Sequence, residues 1–181
     1  MTVKRTLPAN GALRATAQDL FGLPPDFQTG WIKVSGTAPI TGFLAYADTV
    51  AGGVVAVPSR LSQTKQFFSY IAEGPPQWQT GLAILNIGDT SAAVEMFAVD
   101  PDGKLIGNAS FTVDAGKKLA NVIHEWIPQT RGINGGFVFL RTSNNVRLYG
   151  TELFYTEDLK VLSSIAAAKL NPGVSYSPPS P

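Results

Sequence analysis

His124 is the single histidine of the 181-residue sequence, and acid–base chemistry would have to start from it. A catalytic triad or a metal-assisted hydrolysis would also need partners for this imidazole. We expect its neighbour Glu125 not to face it, because adjacent residues of a helix point about 100° apart. The sequence contains no G-x-S-x-G elbow, no H-E-x-x-H zinc motif and no Walker loop. We therefore interpret His124 as a polar residue on the outer face of a helix, and we predict no catalytic residue, no cofactor and no bound metal.

Carboxylate pairs hydrolyse glycosidic bonds, and the second half of the chain carries several acidic residues. The candidates are Glu95, Glu125, Glu152, Glu157 and Asp158. Most of them fall on expected strands or turns, where water would solvate them, so we rank a hydrolase last. Asp100, Asp102 and Asn108 offer too few oxygen ligands in sequence for a calcium loop, and we interpret them as part of a turn.

Aromatic side chains are the better candidates for ligand binding. Trp31 and Trp126 fall on apolar faces and are expected in the core. Trp78 instead follows a Pro-rich polar loop and stands between Gln77 and Gln79. An exposed indole suits the apolar face of a sugar ring, and neighbouring amides suit its hydroxyl groups. These three residues are our candidate ligand site; the alternative, in which Trp78 closes the end of the fold, stays open.

Composition narrows the class of protein. The formal net charge is +1, with 14 basic and 13 acidic residues scattered along the chain, which argues against a nucleic acid or an anionic membrane as partner. The absence of cysteine excludes disulfides and thiolate metal sites. The basic N-terminal residues are followed by no apolar signal segment, and no apolar run approaches the roughly 20 residues that span a bilayer. The 44% hydrophobic content, with 18 Gly and 13 Pro, predicts many short strands joined by turns.

The elements that must position these side chains occur twice. The segments GALRATAQDLFG, TGWIKVSGT and APITGFLAYAD match KKLANVIHEWIP, GGFVFLRTS and NNVRLYGTELFYTE in the same order. The equivalent pairs are Leu13 with Leu119, Asp19 with Glu125, Leu20 with Trp126, Gly30 with Gly136, Trp31 with Phe137, and Gly42 with Gly150. The copies lie about 107 positions apart, which is the size of a small domain. The chain is therefore predicted to contain tandem modules built on one plan.

Each copy is predicted to contain one short helix. The first runs from Ala12 for two to three turns and stops at Gly22. The second carries Leu119, Val122, Ile123 and Trp126 on one face. Strands are expected at 31–34, 40–47, 54–57, 66–72, 80–85, 92–99, 104–113, 137–140, 146–155 and 161–165. The turn DPDG at 100–103 predicts a hairpin, because Pro presets one torsion and Gly accepts a positive φ.

The fold class is accordingly mainly β, with antiparallel β-sandwich modules that each hold one short helix between strands. Residues 1–58 match only the second half of a module, residues 59–170 form a complete one, and residues 171–181 are a Pro/Ser-rich tail. Half a sandwich leaves strand edges unpaired. We therefore expect residues 1–58 to pack on the complete module or to exchange strands with a neighbouring chain.

Nearly the whole chain, except both ends, resembles the tandem β-sandwich repeats of large bacterial surface and secreted proteins. The resemblance rests on a Thr-to-Asn strand, a D-x-x-G turn, a segment leading to an E-L-F-like triplet, and a Gly-led strand. The matching positions are Thr80, Leu82, Ile84 and Asn86; Asp100 and Gly103; Gly116, Leu119 and Ala120; Glu125, Trp126 and Ile127; Gly136, Val138, Leu140 and Thr142. The first copy carries Asp19, Leu20 and Phe21 at the triplet. The resemblance implies an extracellular modular role.

Two functions follow as expectations. The first is a non-catalytic structural or adhesive module of a bacterial extracellular or cell-surface protein, which assembles by packing against protein neighbours. The second is a carbohydrate-binding module that uses Trp78.

Overall fold

The computed structural model describes residues 1–24, 30–47, 50–59, 61–75 and 77–168. The predicted tail at 171–181 lies outside the described residues. Two compact units divide the chain, Met1–Lys33 and Val34–Pro181. This boundary falls 25 residues before the module boundary that the sequence suggests at 58/59, and the division of the chain into a partial and a complete module stays a prediction.

The smaller unit contains one helix, α1 (Ala17–Phe21). Thr16 caps it, because its Oγ1 accepts the N–H of Asp19 at 3.0 Å, and Gly22 ends it in a left-handed conformation. The predicted start at Ala12 was wrong, since the Thr16 cap places the first turn later. The predicted strand at residues 31–34 was also wrong: no strand forms there, and the side chain of Trp31 is 40% exposed and not in the core.

The larger unit is mainly antiparallel β, as predicted, and has the form of a sandwich. A hairpin comes first, β1 (Phe43–Ala47) with β2 (Val54–Pro58). One four-stranded sheet then has the order β3 (Lys65–Phe68), β8 (Phe137–Thr142), β5 (Ala92–Val99), β6 (Leu105–Val113). The other has the order β10 (Leu162–Ala166), β9 (Tyr149–Thr156), β4 (Trp78–Leu85), β7 (Lys118–Val122).

Alternating side chains build the core between these sheets. On β5, Val94, Met96 and Ala98 are buried, while Glu95 points outward and binds Arg141 at 2.6 Å. The DPDG turn closes the β5–β6 hairpin as predicted, with Gly103 at φ +83°. The inward rows of the neighbouring strands are Leu82 and Ile84 of β4 and Val138 and Leu140 of β8.

The second predicted helix was partly wrong. Its first half, including Leu119 and Val122, forms β7 and pairs with β4. Only α2 (Ile123–Trp126) and the 3₁₀ turn Pro128–Thr130 are helical. Pairing with the open edge of β4 overrides the helical spacing of the apolar residues, because it satisfies the backbone of both strands.

The β1–β2 and β9–β10 hairpins share one register. Adding 108 to both numbers of the pair Phe43↔Pro58 gives Thr151↔Ala166, and the other four pairs follow the same rule. The hydrogen bond from Ser59 N to Gly42 O recurs as the bond from Ala167 N to Gly150 O. The two hairpins are thus built alike, down to the backbone bond beyond their paired ends.

Strands β2 and β10 also touch each other. Ser164 Oγ donates to Ala56 O at 2.6 Å, and these two residues are themselves related by the shift of 108. Val55 is buried, and Gly53 lies against Leu162 so closely that a Cβ would stand 2.9 Å from its Cγ. The hairpin is therefore seated on the β10 side of the sandwich.

Candidate functional site

An open cleft of about 640 Å³ lies at one end of the sandwich. Three parts of the chain form it: the loop that leads into β4, the α2 region, and the residues just after β9. The lining residues are Glu73, Gly74, Pro75, Gln77, Trp78, Gln79, His124, Arg131 and Glu157. Long-range packing brings these parts together, because they are separated by up to 84 positions in the sequence.

Glu73 is the anchored carboxylate of the cleft. Its Oε1 accepts the N–H of Thr80 at 2.8 Å, and its Oε2 lies 2.5 Å from Nδ1 of His124. Its backbone is bonded on both sides, with its N–H donating to Ile133 O and its carbonyl accepting from Gly132 N. The side chain is 2% exposed. Glu73 therefore holds His124 in one orientation, as a buried charged partner with satisfied oxygens does.

His124 is buried, so its predicted position on an outer helix face was wrong. The helix is a single turn that packs with Ile123 and Ile127 into the core, and this brings the imidazole onto Glu73. The prediction that Glu125 could not reach it was wrong as well: Glu125 Oε1 lies 3.4 Å from His124 Nε2. The same oxygen lies 3.4 Å from Arg131 Nη2. A row of acidic and basic side chains thus runs from the buried Glu73 through His124 and Glu125 to the exposed Arg131.

The three residues proposed from the sequence all line this cleft. Gln77 has a left-handed backbone with φ +82° and is exposed, and Trp78 is half-buried. Gln79 Nε2 donates to Glu157 Oε1 at 3.5 Å, a long hydrogen bond that a ligand hydroxyl would displace at little cost. The cleft therefore combines an aromatic surface with amide and carboxylate groups.

Sequence reasoning missed Glu73, and it did not place His124, Arg131 or Glu157 at a site. Glu73 stands just before Gly74 and Pro75, and no motif or spacing connects it with His124, which lies 51 positions later. The only local signal is that the loop carrying Glu73 also carries Trp78.

Glu152 was expected to be solvated with the other carboxylates, and this was wrong. It lies on the inward face of β9, is fully buried, and neither carboxyl oxygen has a hydrogen-bond partner. Burial is the larger influence and raises the pKa of Glu152 to about 8, while the Ser69 backbone acts in the opposite direction. Glu152 is therefore held as the neutral acid inside the core near pH 7.

The remaining acidic candidates bind local partners. Glu95 pairs with Arg141. Hydrogen bonds from Thr156 and Lys160 lower the pKa of the exposed Asp158 to about 2. Asp100 Oδ1 accepts the N–H groups of Asp102 and Lys104, which makes it part of the turn.

Within the described ranges, no three His, Asp or Glu side chains are grouped as a metal site would require. None of the helices in those ranges has the length and apolarity needed to cross a membrane.

Comparison with known proteins gives a likeness of fold. No family model and no curated protein matches this sequence. The solved structure described as the crystal structure of Thermotoga maritima 1070 is similar, with a TM-score of 0.50 and 14% sequence identity. The match covers 60% of this chain and 96% of that chain. At this identity the likeness concerns the fold alone.

Proposed function

We propose that this chain is a non-catalytic structural and adhesive module of a bacterial extracellular or cell-surface protein, which assembles by packing against protein neighbours. The observation that carries the proposal is the β1–β2 hairpin. All five residues of β1 are exposed, including Phe43 at 72%, Leu44 at 46% and Tyr46 at 42%. An exposed two-stranded edge with large apolar side chains is a surface that pairs readily with another chain.

The shared register of the two hairpins supports this proposal. In the sandwich, β9 is covered on its outer edge by β4 and on its inner face by the opposite sheet. The equivalent strand β1 belongs to a two-stranded sheet and stands exposed. The β1–β2 hairpin has the register of the β9–β10 hairpin but, within the described residues, lacks the strand and sheet that cover β9. It is therefore suited to receive such elements from a neighbouring chain.

The contact between β2 and β10 also supports assembly with neighbouring modules. Ala56 and Ser164, which are equivalent in the two hairpins, meet each other. A contact between equivalent residues is what a two-fold arrangement of modules produces, and such isologous contacts are the commonest in protein assemblies. The extracellular location follows from the family resemblance of the sequence.

The cleft supports a non-catalytic role. None of the described residues that line it carries a hydroxyl or thiol group that could act as a nucleophile. Nδ1 and Nε2 of His124 both face carboxylates, at 2.5 and 3.4 Å. Both ring nitrogens of His124 therefore have side-chain partners within the protein.

The test is the mass of the full chain in solution over a concentration series, measured by analytical ultracentrifugation. We expect reversible self-association or association with co-expressed modules, weakened by Phe43→Ser together with Tyr46→Ser. Leu61→Ser is the control, because Leu61 is 80% exposed but lies outside the hairpin. Association that both variants weaken equally, or a strict monomer that binds no module, would overturn the proposal.

A second candidate function is carbohydrate binding, favoured by the cleft itself. Its indole, amides and carboxylates are the groups that bind a pyranose, with the ring stacked on Trp78 and hydroxyls bonded to Gln77, Gln79 and Glu157. The size of the cleft is within the range of small-molecule sites.

A glycan array followed by calorimetry tests this second function. We expect Trp78→Ala to lower the affinity at least tenfold and Gln79→Ala by a smaller factor. Trp31→Ala is the matched control, since Trp31 is partly exposed and is not among the lining residues. Glycan binding that survives Trp78→Ala, or no binding to any glycan, would remove the cleft as a sugar site.

A further inference from the structure

Backbone hydrogen bonds show which groups of β1 point away from β2. In an antiparallel pair, every second residue exchanges bonds with the partner strand and the others point to the opposite edge. Ser59 N donates to Gly42 O at 2.9 Å, so Gly42, Leu44 and Tyr46 belong to the row that faces β2. The N–H and C=O groups of Phe43, Ala45 and Ala47 therefore point outward. Within the described residues this hairpin is a two-stranded sheet, so these outward groups face no third strand.

The backbone N–H and C=O groups of β9 form the same two rows, and the row that points away from β10 is paired with another strand. Ala167 N donates to Gly150 O at 3.2 Å, which places Gly150, Glu152 and Phe154 in the row facing β10. The outward row of β9 pairs with β4. Its residue pairs are Thr151 with Ala83, Leu153 with Gly81, and Tyr155 with Gln79.

From this correspondence we propose that the outer edge of β1 accepts one antiparallel strand of the β4 type, donated by a neighbouring module. The inference rests on the proposed assembly function and names the partner of that surface. Subtracting 108 from the β9 numbers gives the register. The expected pairs are Phe43 with the donor's equivalent of Ala83, Leu44 with Leu82, Ala45 with Gly81, Tyr46 with Thr80, and Ala47 with Gln79.

The side chains of β1 suit such a donor. The inward positions of β9 are Gly150, Glu152 and Phe154, and the equivalents in β1 are Gly42, Leu44 and Tyr46. Leu44 stands where the sandwich buries Glu152, so the hairpin would bury an apolar side chain without the cost of desolvating a carboxyl group. A donor strand with inward-facing residues at alternate positions, as in Thr80, Leu82 and Ile84, would pack on Leu44 and Tyr46.

The donor is a neighbouring module that lacks its second half, including the strand equivalent to β9. In the complete module, β4 is paired on both edges, by β9 and by β7. Its strand is therefore unavailable unless the module opens. A module with β4 but without a β9 equivalent has the complementary free edge, and strand addition between the two edges satisfies the backbone of both.

The test uses the full chain and a fluorescent peptide of residues 77–87 with two added lysines for solubility. We expect saturable binding by fluorescence anisotropy, with protection of the β1 amides in hydrogen exchange. N-methylation of Gly81 in the peptide blocks an N–H of the row that faces β9 and should weaken binding at least tenfold. N-methylation of Leu82 blocks an N–H of the opposite row, which faces β7, and should leave the affinity within about twofold. The two peptides differ only in which edge is blocked.

On the protein side, Ala45→Pro removes an outward N–H, and proline is tolerated at such edge positions. We expect it to weaken peptide binding at least tenfold, while circular dichroism shows the fold retained. Equal effects of the two N-methylated peptides, or no peptide binding at all, would overturn the proposed donor. If the full chain nevertheless self-associates through Phe43 and Tyr46, the assembly function stands and only the donor strand is wrong. If it neither binds the peptide nor associates, both proposals fall.

Discussion

Nδ1 of His124 lies 2.5 Å from Oε2 of Glu73, and both side chains are almost completely withdrawn from water. This contact joins the loop before β4 to the turn after β7. Because Glu73 Oε1 also accepts the N–H of Thr80, one carboxylate joins β4 to the short helix α2. The pair therefore shapes the wall of the cleft as well as the end of the sandwich.

Removing the charge of Glu73 is expected to destabilise the fold. Glu73→Gln keeps an acceptor for Thr80 N but leaves buried His124 without its anionic partner. Breaking a buried pair from one side costs about 3 kcal/mol. Urea unfolding at pH 6 should show this loss in the free energy of unfolding.

The matched control for this variant is Glu125→Gln. Glu125 also contacts His124, at 3.4 Å, but its side chain is 52% exposed. Exposed pairs contribute less than about 1 kcal/mol. Equal losses in the two variants would show that burial of the Glu73 pair does not govern its energy.

Glu152 predicts how stability depends on pH. Burial raises its pKa from 4.5 to about 8, so the folded chain holds a proton that the unfolded chain has released over that interval. Stability must then fall as pH rises from about 4.5 to about 8, with a limiting slope of about 1.4 kcal/mol per pH unit from this group. Glu152→Gln stays neutral and should lack the slope, so it should be the more stable protein at pH 8.5.

Chemical denaturation at pH 5 and at pH 8.5 measures this difference. Subtracting the wild-type change from the Glu152→Gln change cancels the titration of the other groups. A wild-type slope that persists in Glu152→Gln would contradict the assignment.

Gly150 and Gly42 occupy equivalent positions in the two hairpins but differ in the space around them. A Cβ on Gly150 would collide with the Gln66 side chain and would stand 2.7 Å from Cζ of Phe68. A Cβ on Gly42 would meet nothing within 4 Å. Gly150→Ala should therefore lower the free energy of unfolding by about 2 kcal/mol through overpacking. Gly42→Ala should change it by less than about 0.5 kcal/mol, and thermal unfolding of both variants checks the contrast.

The side chain of Asn86, just after β4, makes three hydrogen bonds that require an amide. Its Nδ2 donates to Thr90 O and Val113 O, and its Oδ1 accepts the N–H of Gly88. Asn86→Asp would replace two donors by a carboxylate oxygen that faces two carbonyls, at a cost of about 3 kcal/mol.

Asn144→Asp is the control, because Asn144 makes the same kinds of bond to Ser91 and Ala93 at an exposed site. Urea midpoints at pH 7 should separate the two variants, and a smaller loss for Asn86→Asp than for Asn144→Asp would refute this account.

Local sequence patterns were sufficient for much of the sandwich. The strand predicted at 92–99 is β5, and the DPDG turn indicated the β5–β6 hairpin correctly, because both signals act over a few residues. The helical spacing of Leu119 and Val122 was misleading for the opposite reason. Residues 118–122 pair with the edge of β4, a strand distant in sequence, and this pairing makes the segment a strand.

The candidate site was predictable only in part. Trp78, Gln77 and Gln79 stand together in the sequence, and the cleft contains all three. Glu73 and His124 could not be paired in advance, since neither residue belongs to a motif and the short α2 packs at an angle that no local signal specifies. Glu152 was misjudged because a carboxylate on a strand is usually solvated, and only the opposite sheet encloses it.

By itself the sequence determined that this chain is mainly antiparallel β and where the β5–β6 hairpin turns. These properties depend on alternation and turn chemistry, which each segment carries within itself. The tertiary structure alone decided that His124 meets Glu73, that Glu152 is enclosed, and that β1 stands exposed while its counterpart β9 is covered. The physical reason is that each of these depends on which distant strand or sheet lies opposite, and that choice is made by packing of the whole core.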